Sequence, residues 1–230
     1  MKIGIIAAMP QELARLVEVL EGAEKSLYLG RVYHSGHIGR HQVVLVESGI
    51  GKVMSAMSVA ALIGNFHCTA IINTGSAGAV QSGIQIGHVV LAQELVYHDV
   101  DVTAFGYAWG QMAQQPLYYE ASRYLNSEFQ KILESQGQTV HRGLIATGDS
   151  FVAGENKVQA IKDAFPQVLA VEMEGAAIAQ AAHSVGIPFM VVRAISDTAS
   201  HDANITFDEF IVEAGERSAE ALIAFLKELV

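Results

Sequence analysis

The chain has a single cysteine, Cys68, among 230 residues. An intramolecular disulfide and a cysteine-built metal cluster are therefore excluded, and its neighbours His67 and Thr69 supply no nucleophile machinery. Cys68 reads as a packed thiol. Basic residues are also scarce: 14 Lys and Arg against 24 Asp and Glu leave a net charge of −10. A nucleic-acid partner, which needs clustered cations to release counterions from phosphates, is not expected. No apolar run reaches the roughly eighteen residues that would suggest a membrane span. The opening segment turns polar at Pro10-Gln11-Glu12, too soon for a secretion signal, so the expectation is a cytoplasmic protein with no membrane partner. Only four prolines occur, and no repeat, linker or low-complexity tract interrupts the chain. One domain over residues 1–230 is expected.

What is present is apolar. Hydrophobic residues make up 51% of the chain and charged residues only 17%, a balance that favours covering part of the surface with a second copy. Short β-rich apolar runs at 2–7, 42–47, 70–74, 88–92, 143–147, 169–171 and 189–195 alternate with helical stretches. That alternation predicts an α/β fold of three layers, helices on both faces of a mixed, mostly parallel central sheet. Glycines at 30, 36 and 39 among alternating residues suggest a hairpin within 27–39. Pro10 suits a first helical position, with Leu13, Leu16, Val17 and Leu20 on one face behind it. Further helices are expected over 52–66, 119–136 and 174–185, and a last one opening at the capping box Thr206-Phe207-Asp208-Glu209. Residues 96–117 lack periodicity and read as a long ordered loop, a common home of function.

Three acids stand where apolar runs stop. Glu12 follows the first run, Glu174 lies in Val171-Glu172-Met173-Glu174-Gly175, and Asp197 ends Ala194-Ile195-Ser196-Asp197. Each alone is equally a helix cap or turn residue. In an open α/β sheet, however, ligands bind just outside the carboxyl ends of the strands, so three acids at three such ends predict one shared pocket. In an apolar cleft beside Met9, Ile50 and Met173 their proton affinities would rise, supplying acid and base together.

Asn73-Thr74-Gly75-Ser76-Ala77-Gly78 reads as a strand end followed by a tight turn of small residues, open to close backbone approach by a ligand. It has neither Walker nor dinucleotide spacing. Lys52, after Ser48-Gly49-Ile50-Gly51, reads as a solvated residue at a helix start. Phe151 closes Gly148-Asp149-Ser150-Phe151, either as a core ring or as a stacking surface for a flat heterocycle. The nine histidines show no ligand pair of recognisable spacing, so no metal is expected, and no Gly-x-Ser-x-Gly elbow occurs.

These segments, with Met1 to Met9, His98 to Tyr107, Arg142 to Ile145 and Val191 to Asp197, together resemble the bacterial 5′-methylthioadenosine/S-adenosylhomocysteine nucleosidases of the nucleoside phosphorylase family, in order and along essentially the whole chain. The resemblance implies a nucleoside phosphorylase-like fold and hydrolysis of the N-glycosidic bond to adenine. The substrates would be methylthioadenosine and S-adenosylhomocysteine, with 5′-deoxyadenosine a further one, and no cofactor is needed. It implies that Asp197 protonates purine N7, that Glu12 activates water, and that Glu174 holds the ribose hydroxyls. By the same resemblance Phe151 stacks on adenine and the Val152 backbone reads its edge. Met9, Ile50, Met173 and Phe207 line the sugar and the 5′ group, Ser76 and Arg193 order Glu12, water and ribose, and Gly78 and Ser196 complete the set. Val102 and Phe105 would reach the neighbouring site of a homodimer. Two other readings stay open: a purine nucleoside phosphorylase, disfavoured because no arginine precedes Ser76 on its strand, and a non-catalytic nucleoside-binding protein of the same fold.

Overall fold

The structure, a computed structural model, describes residues 1–199 and 203–229, apart from the side chains of 204–206. β1 (Lys2–Ala7) is a buried apolar run, and Pro10 opens α1 (Pro10–Glu18) with Glu12 in its first turn. A meander follows: β2 (Glu21–Tyr28), β3 (Arg31–Ile38) and β4 (His41–Glu47), turning at Gly30 and Gly39, both at positive φ. Next come α2 (Lys52–Gly64), β5 (Ala70–Ala79) and β6 (Val89–Tyr97). The segment after β6 carries one 3₁₀ turn (Thr103–Phe105) and otherwise runs irregularly to β7 (Tyr119–Glu120), as a long loop should. α3 (Arg123–Ser135), β8 (Val140–Thr147), α4 (Glu155–Ala164), β9 (Val168–Glu172), α5 (Gly175–Ser184), β10 (Phe189–Asp197) and α6 (Ala203–Glu228) complete the order.

The sheet contains two parallel blocks, β4-β1-β5-β10 and β6-β8-β9. Antiparallel seams join them twice, β10 to β6 and β5 to β9, so β5, β10, β6, β8 and β9 close into a ring. The open sheet assumed from the sequence is thus closed at one end, with β1, β4, β3 and β2 extending from it as a wing. β5 is the pivot. Its first half pairs with β1, from Ile3↔Ala70 to Ile6↔Asn73, and its last two residues pair with β9. One apolar core lies beneath α2 and α5 and includes Ile6, Leu62 and Ile178. A second lies beneath α1, α3 and α6 and includes Ile5, Leu16, Phe129 and Leu222. Helices therefore cover both faces, and among the described residues none is long and apolar enough to cross a membrane.

Four local expectations change. Gly75 to Ala79 are not a turn but the second half of β5, held extended by pairing to β10 and β9. Tyr119 belongs to β7, and the helix begins at Arg123 behind Ser122, whose hydroxyl accepts from Leu125 N–H at 3.4 Å. α4 appears where none was expected; Ile161 is its buried residue, too little to make a period. α6 begins at the buried Ala203, so Thr206 lies inside the helix rather than at its cap; its side chain is outside the described residues.

Candidate active site

A cavity of about 290 Å³ opens where the ends of β1, β5, β9 and β10 approach one another. β9 reaches it by running against β5, with Val171 opposite Gly78. The acids thus meet at a seam between two strand directions, not along one rim.

Glu12 turns back over the start of α1. Its Oε2 accepts from the N–H groups of Ala8 (3.0 Å) and Met9 (3.2 Å), while Oε1 accepts from Ser76 N–H (2.9 Å) and hydroxyl (3.0 Å). The capping role and the pocket role therefore coincide in one side chain. Burial raises its proton affinity, and the nearby Arg193 charge and the Ser76 bonds work in the other direction.

Glu174 stands at the N-cap of α5 but caps nothing with its side chain. Oε1 accepts from Gly51 N–H at 2.9 Å, and Oε2 faces Arg193 Nη2 at 3.4 Å. Burial pushes its pKa up to about 7, against the pull of Arg193 and with help from the Glu172 charge. Arg193, fully buried beneath the cavity, also donates to Asn73 Oδ1 at 2.6 Å and to Glu172. Gly75 is what lets this happen: a Cβ there would meet the Arg193 guanidinium and come within 2.8 Å of Glu12 Oε1.

Asp197 lies on the far side. Its Oδ1 accepts from Ala199 N–H at 2.8 Å and Oδ2 from Ser196 hydroxyl at 3.0 Å, and burial raises its proton affinity. Gly78 leaves room for it, since a Cβ would stand 2.8 Å from Oδ1. The remaining walls are apolar: Met9, Ile50, Met173 and Val152, with Phe151 and Phe207 in edge-to-face contact at 5.7 Å. Such a lining fits an aromatic, weakly polar ligand with a few polar anchors.

The cavity thus gathers Met9, Glu12, Ile50, Ser76, Gly78, Phe151, Val152, Met173, Glu174, Ser196, Asp197 and Phe207. Arg193 sits beneath it, while Val102 and Phe105 do not line it within this chain. Lys52 is neither freely solvated nor in the cavity; it pairs with Asp99 (2.8 Å) and Asp149 (3.6 Å) at the start of α2. Sequence reading passed over Ala8, Ala77, Ser150, Val171 and, above all, Glu172. An acid one residue past an apolar strand was the available signal. Among the described residues no cluster of three or more His, Cys, Asp or Glu is arranged to hold a metal.

Comparison with known proteins identifies the family. The Phosphorylase superfamily profile matches residues 2–230. The 5′-methylthioadenosine/S-adenosylhomocysteine nucleosidase of Shewanella denitrificans is 44% identical over 230 residues, 100% of both chains. The S-adenosylhomocysteine nucleosidase of Streptococcus pyogenes, solved with 5-methylthiotubericidin, superposes with a TM-score of 0.98 at 60% identity, covering 100% of this chain and 98% of that one. The S. pneumoniae nucleosidase, solved with the transition-state inhibitor MT-ImmA, gives 0.97 at 64% identity over 100% of both. The chain belongs to the phosphorylase superfamily and, within it, to the 5′-methylthioadenosine/S-adenosylhomocysteine nucleosidases.

Proposed function

We propose that this protein hydrolyses the N-glycosidic bond of 5′-methylthioadenosine and S-adenosylhomocysteine, and of 5′-deoxyadenosine, releasing adenine and the 5′-substituted ribose. The observation that carries the reading is the convergence of Glu12, Glu174 and Asp197, all buried, on one apolar cavity with an aromatic ring at its mouth. The names of its relatives point the same way.

Asp197, whose proton affinity is raised by burial, delivers a proton to purine N7. The C1′–N9 bond then breaks with its electron pair leaving on the purine, and positive charge develops on the ribose. Glu12 takes a proton from a water whose oxygen closes on C1′, the two-carboxylate logic of glycoside hydrolysis. Ser76 keeps Glu12 aimed, and Glu174 accepts from the ribose hydroxyls. Phe151 stacks on adenine and the Val152 backbone reads its edge, while Met9, Ile50, Met173 and Phe207 take the sugar and 5′ group. Phosphate is a poor acceptor here. Arg193, the cation beneath the cavity, is already engaged by Glu172, Glu174 and Asn73, so a dianion would meet carboxylates.

The working unit is proposed to be a cytoplasmic homodimer in which Val102 and Phe105 complete the neighbouring site. Phe105, 82% exposed, has no such role within its own chain. Adenine release from methylthioadenosine, measured with and without phosphate, tests the reading. Phosphate-independent release is expected; a phosphate requirement makes the protein a phosphorylase, and binding without turnover makes it a carrier.

A further inference from the structure

Glu172 ends β9 and is 7% exposed. Both its oxygens are committed inside the protein. Oε2 accepts from the N–H groups of Glu174 (3.0 Å) and Gly175 (2.7 Å) at the start of α5, and from Arg193 Nη2; Oε1 accepts from the Thr147 hydroxyl. Thr147 Oγ1 in turn takes the Ala176 N–H at 2.8 Å. Three successive amides of the α5 N-terminus are therefore satisfied by Glu172 and its partner. Glu174, which occupies the cap position, is spared that task and keeps its side chain on the cavity.

The same arrangement divides a charge. Arg193 Nη2 lies closer to Glu172 than to Glu174. With Glu172 absent, Arg193 would be drawn onto Glu174 and would occupy the oxygen lone pairs that a diol needs. With Arg193 absent, two buried carboxylates would face each other without a cation.

We propose that Glu172 is a positioning residue for Glu174: by capping α5 and holding Arg193, it leaves the Glu174 carboxylate turned to the cavity and free to accept from two adjacent hydroxyls. This rests on the nucleosidase reading above. Glu172 borders the cavity but acts through its neighbour, because both its oxygens are already taken by protein donors.

A double-mutant cycle on the intact protein separates this from a merely structural role. Adenine release from methylthioadenosine is measured for wild type, Glu172→Gln, Glu174→Gln and the double variant, with melting temperatures alongside. Glu172→Gln is expected to raise KM about 10- to 100-fold, the loss typical of a misplaced binding group, with a smaller change in kcat. On the Glu174→Gln background the same change is expected to alter KM less than about threefold, because the route through Glu174 is gone. An unchanged KM in Glu172→Gln, or an equal fold-rise in both backgrounds, overturns the proposal. If Glu172→Gln fails to fold, Thr147→Val, which deletes one donor to Glu172 and leaves its charge, takes its place. It is expected to raise KM about 2- to 10-fold, as the loss of one hydrogen bond implies, and again only when Glu174 is present. Wild-type protein that releases no adenine overturns the nucleosidase reading and this one together; an active wild type with an additive cycle overturns this one alone.

Discussion

Glu12 and Asp197 are 1% and 2% exposed, yet their surroundings suit opposite tasks. Burial raises the proton affinity of both, but at Glu12 four hydrogen bonds from the β1–α1 corner and Ser76, with the Arg193 charge, work against that rise and toward the charge a base must carry. Asp197 rests between Ser196 and Ala199, where burial favours the proton an acid must hold. Asp197→Asn is expected to lower kcat about 10²- to 10⁴-fold, the range for losing a general acid, while calorimetry still detects nucleoside binding; near-wild-type kcat would remove the acid role. Glu174 gives a pH prediction. Its folded pKa, about 7, lies above the ordinary carboxylate value of 4.5, so the folded state binds the extra proton. Its contribution is fully favourable below the unfolded value and is lost as pH rises through the folded one. Glu174→Gln should therefore stabilise the unliganded protein at pH 8, by on the order of 2 kcal/mol, and much less at pH 5. Melting curves at the two pH values check this, and an equal shift at both would contradict it.

At the scale of elements, β5 carries the most consequence. Its glycine at position 75 lets the backbone pass between Glu12 and Arg193, so Gly75→Ala should displace both and abolish turnover with a marked fall in melting temperature. Gly64, at the end of α2 with nothing near its missing Cβ, is the contrast: Gly64→Ala should stabilise by about 0.5–1 kcal/mol and leave kcat unchanged. Turnover by the first variant, or loss of stability in the second, would count against these assignments. β5 also marks where sequence stops being enough. β1, β4, the second half of β8 and β10 were legible because burial on both faces writes a continuous apolar run, and Glu12, Glu174 and Asp197 were legible because each stands where one stops. Gly75 to Ala79 signal a turn locally and are extended only because β9 and β10 pair with them. α4 shows no periodic face, and the ring closure of the sheet depends on seams between strands distant in the chain. Glu172 was visible as an acid at the end of an apolar run, but its role was not, since that comes from Arg193 and Thr147, each more than twenty residues away.

For the molecule as a whole, the exposed apolar residues bear on assembly. Ile50, Val53 and Met57 are exposed at and along α2, and Phe105 stands out on the loop after β6, in a chain otherwise acidic enough to stay dispersed. A homodimer that buries this surface and borrows Phe105 should lose activity on dilution in step with dissociation seen by sedimentation. A fully active monomer would contradict the shared site. The central claim, that three buried carboxylates make this cavity a water-using nucleosidase, is tested most directly by turning over methylthioadenosine in ¹⁸O-labelled water with phosphate present and analysing the sugar by mass spectrometry. The account predicts free adenine and a sugar carrying one ¹⁸O at C1′. A sugar 1-phosphate without label, or unreacted nucleoside, would contradict it.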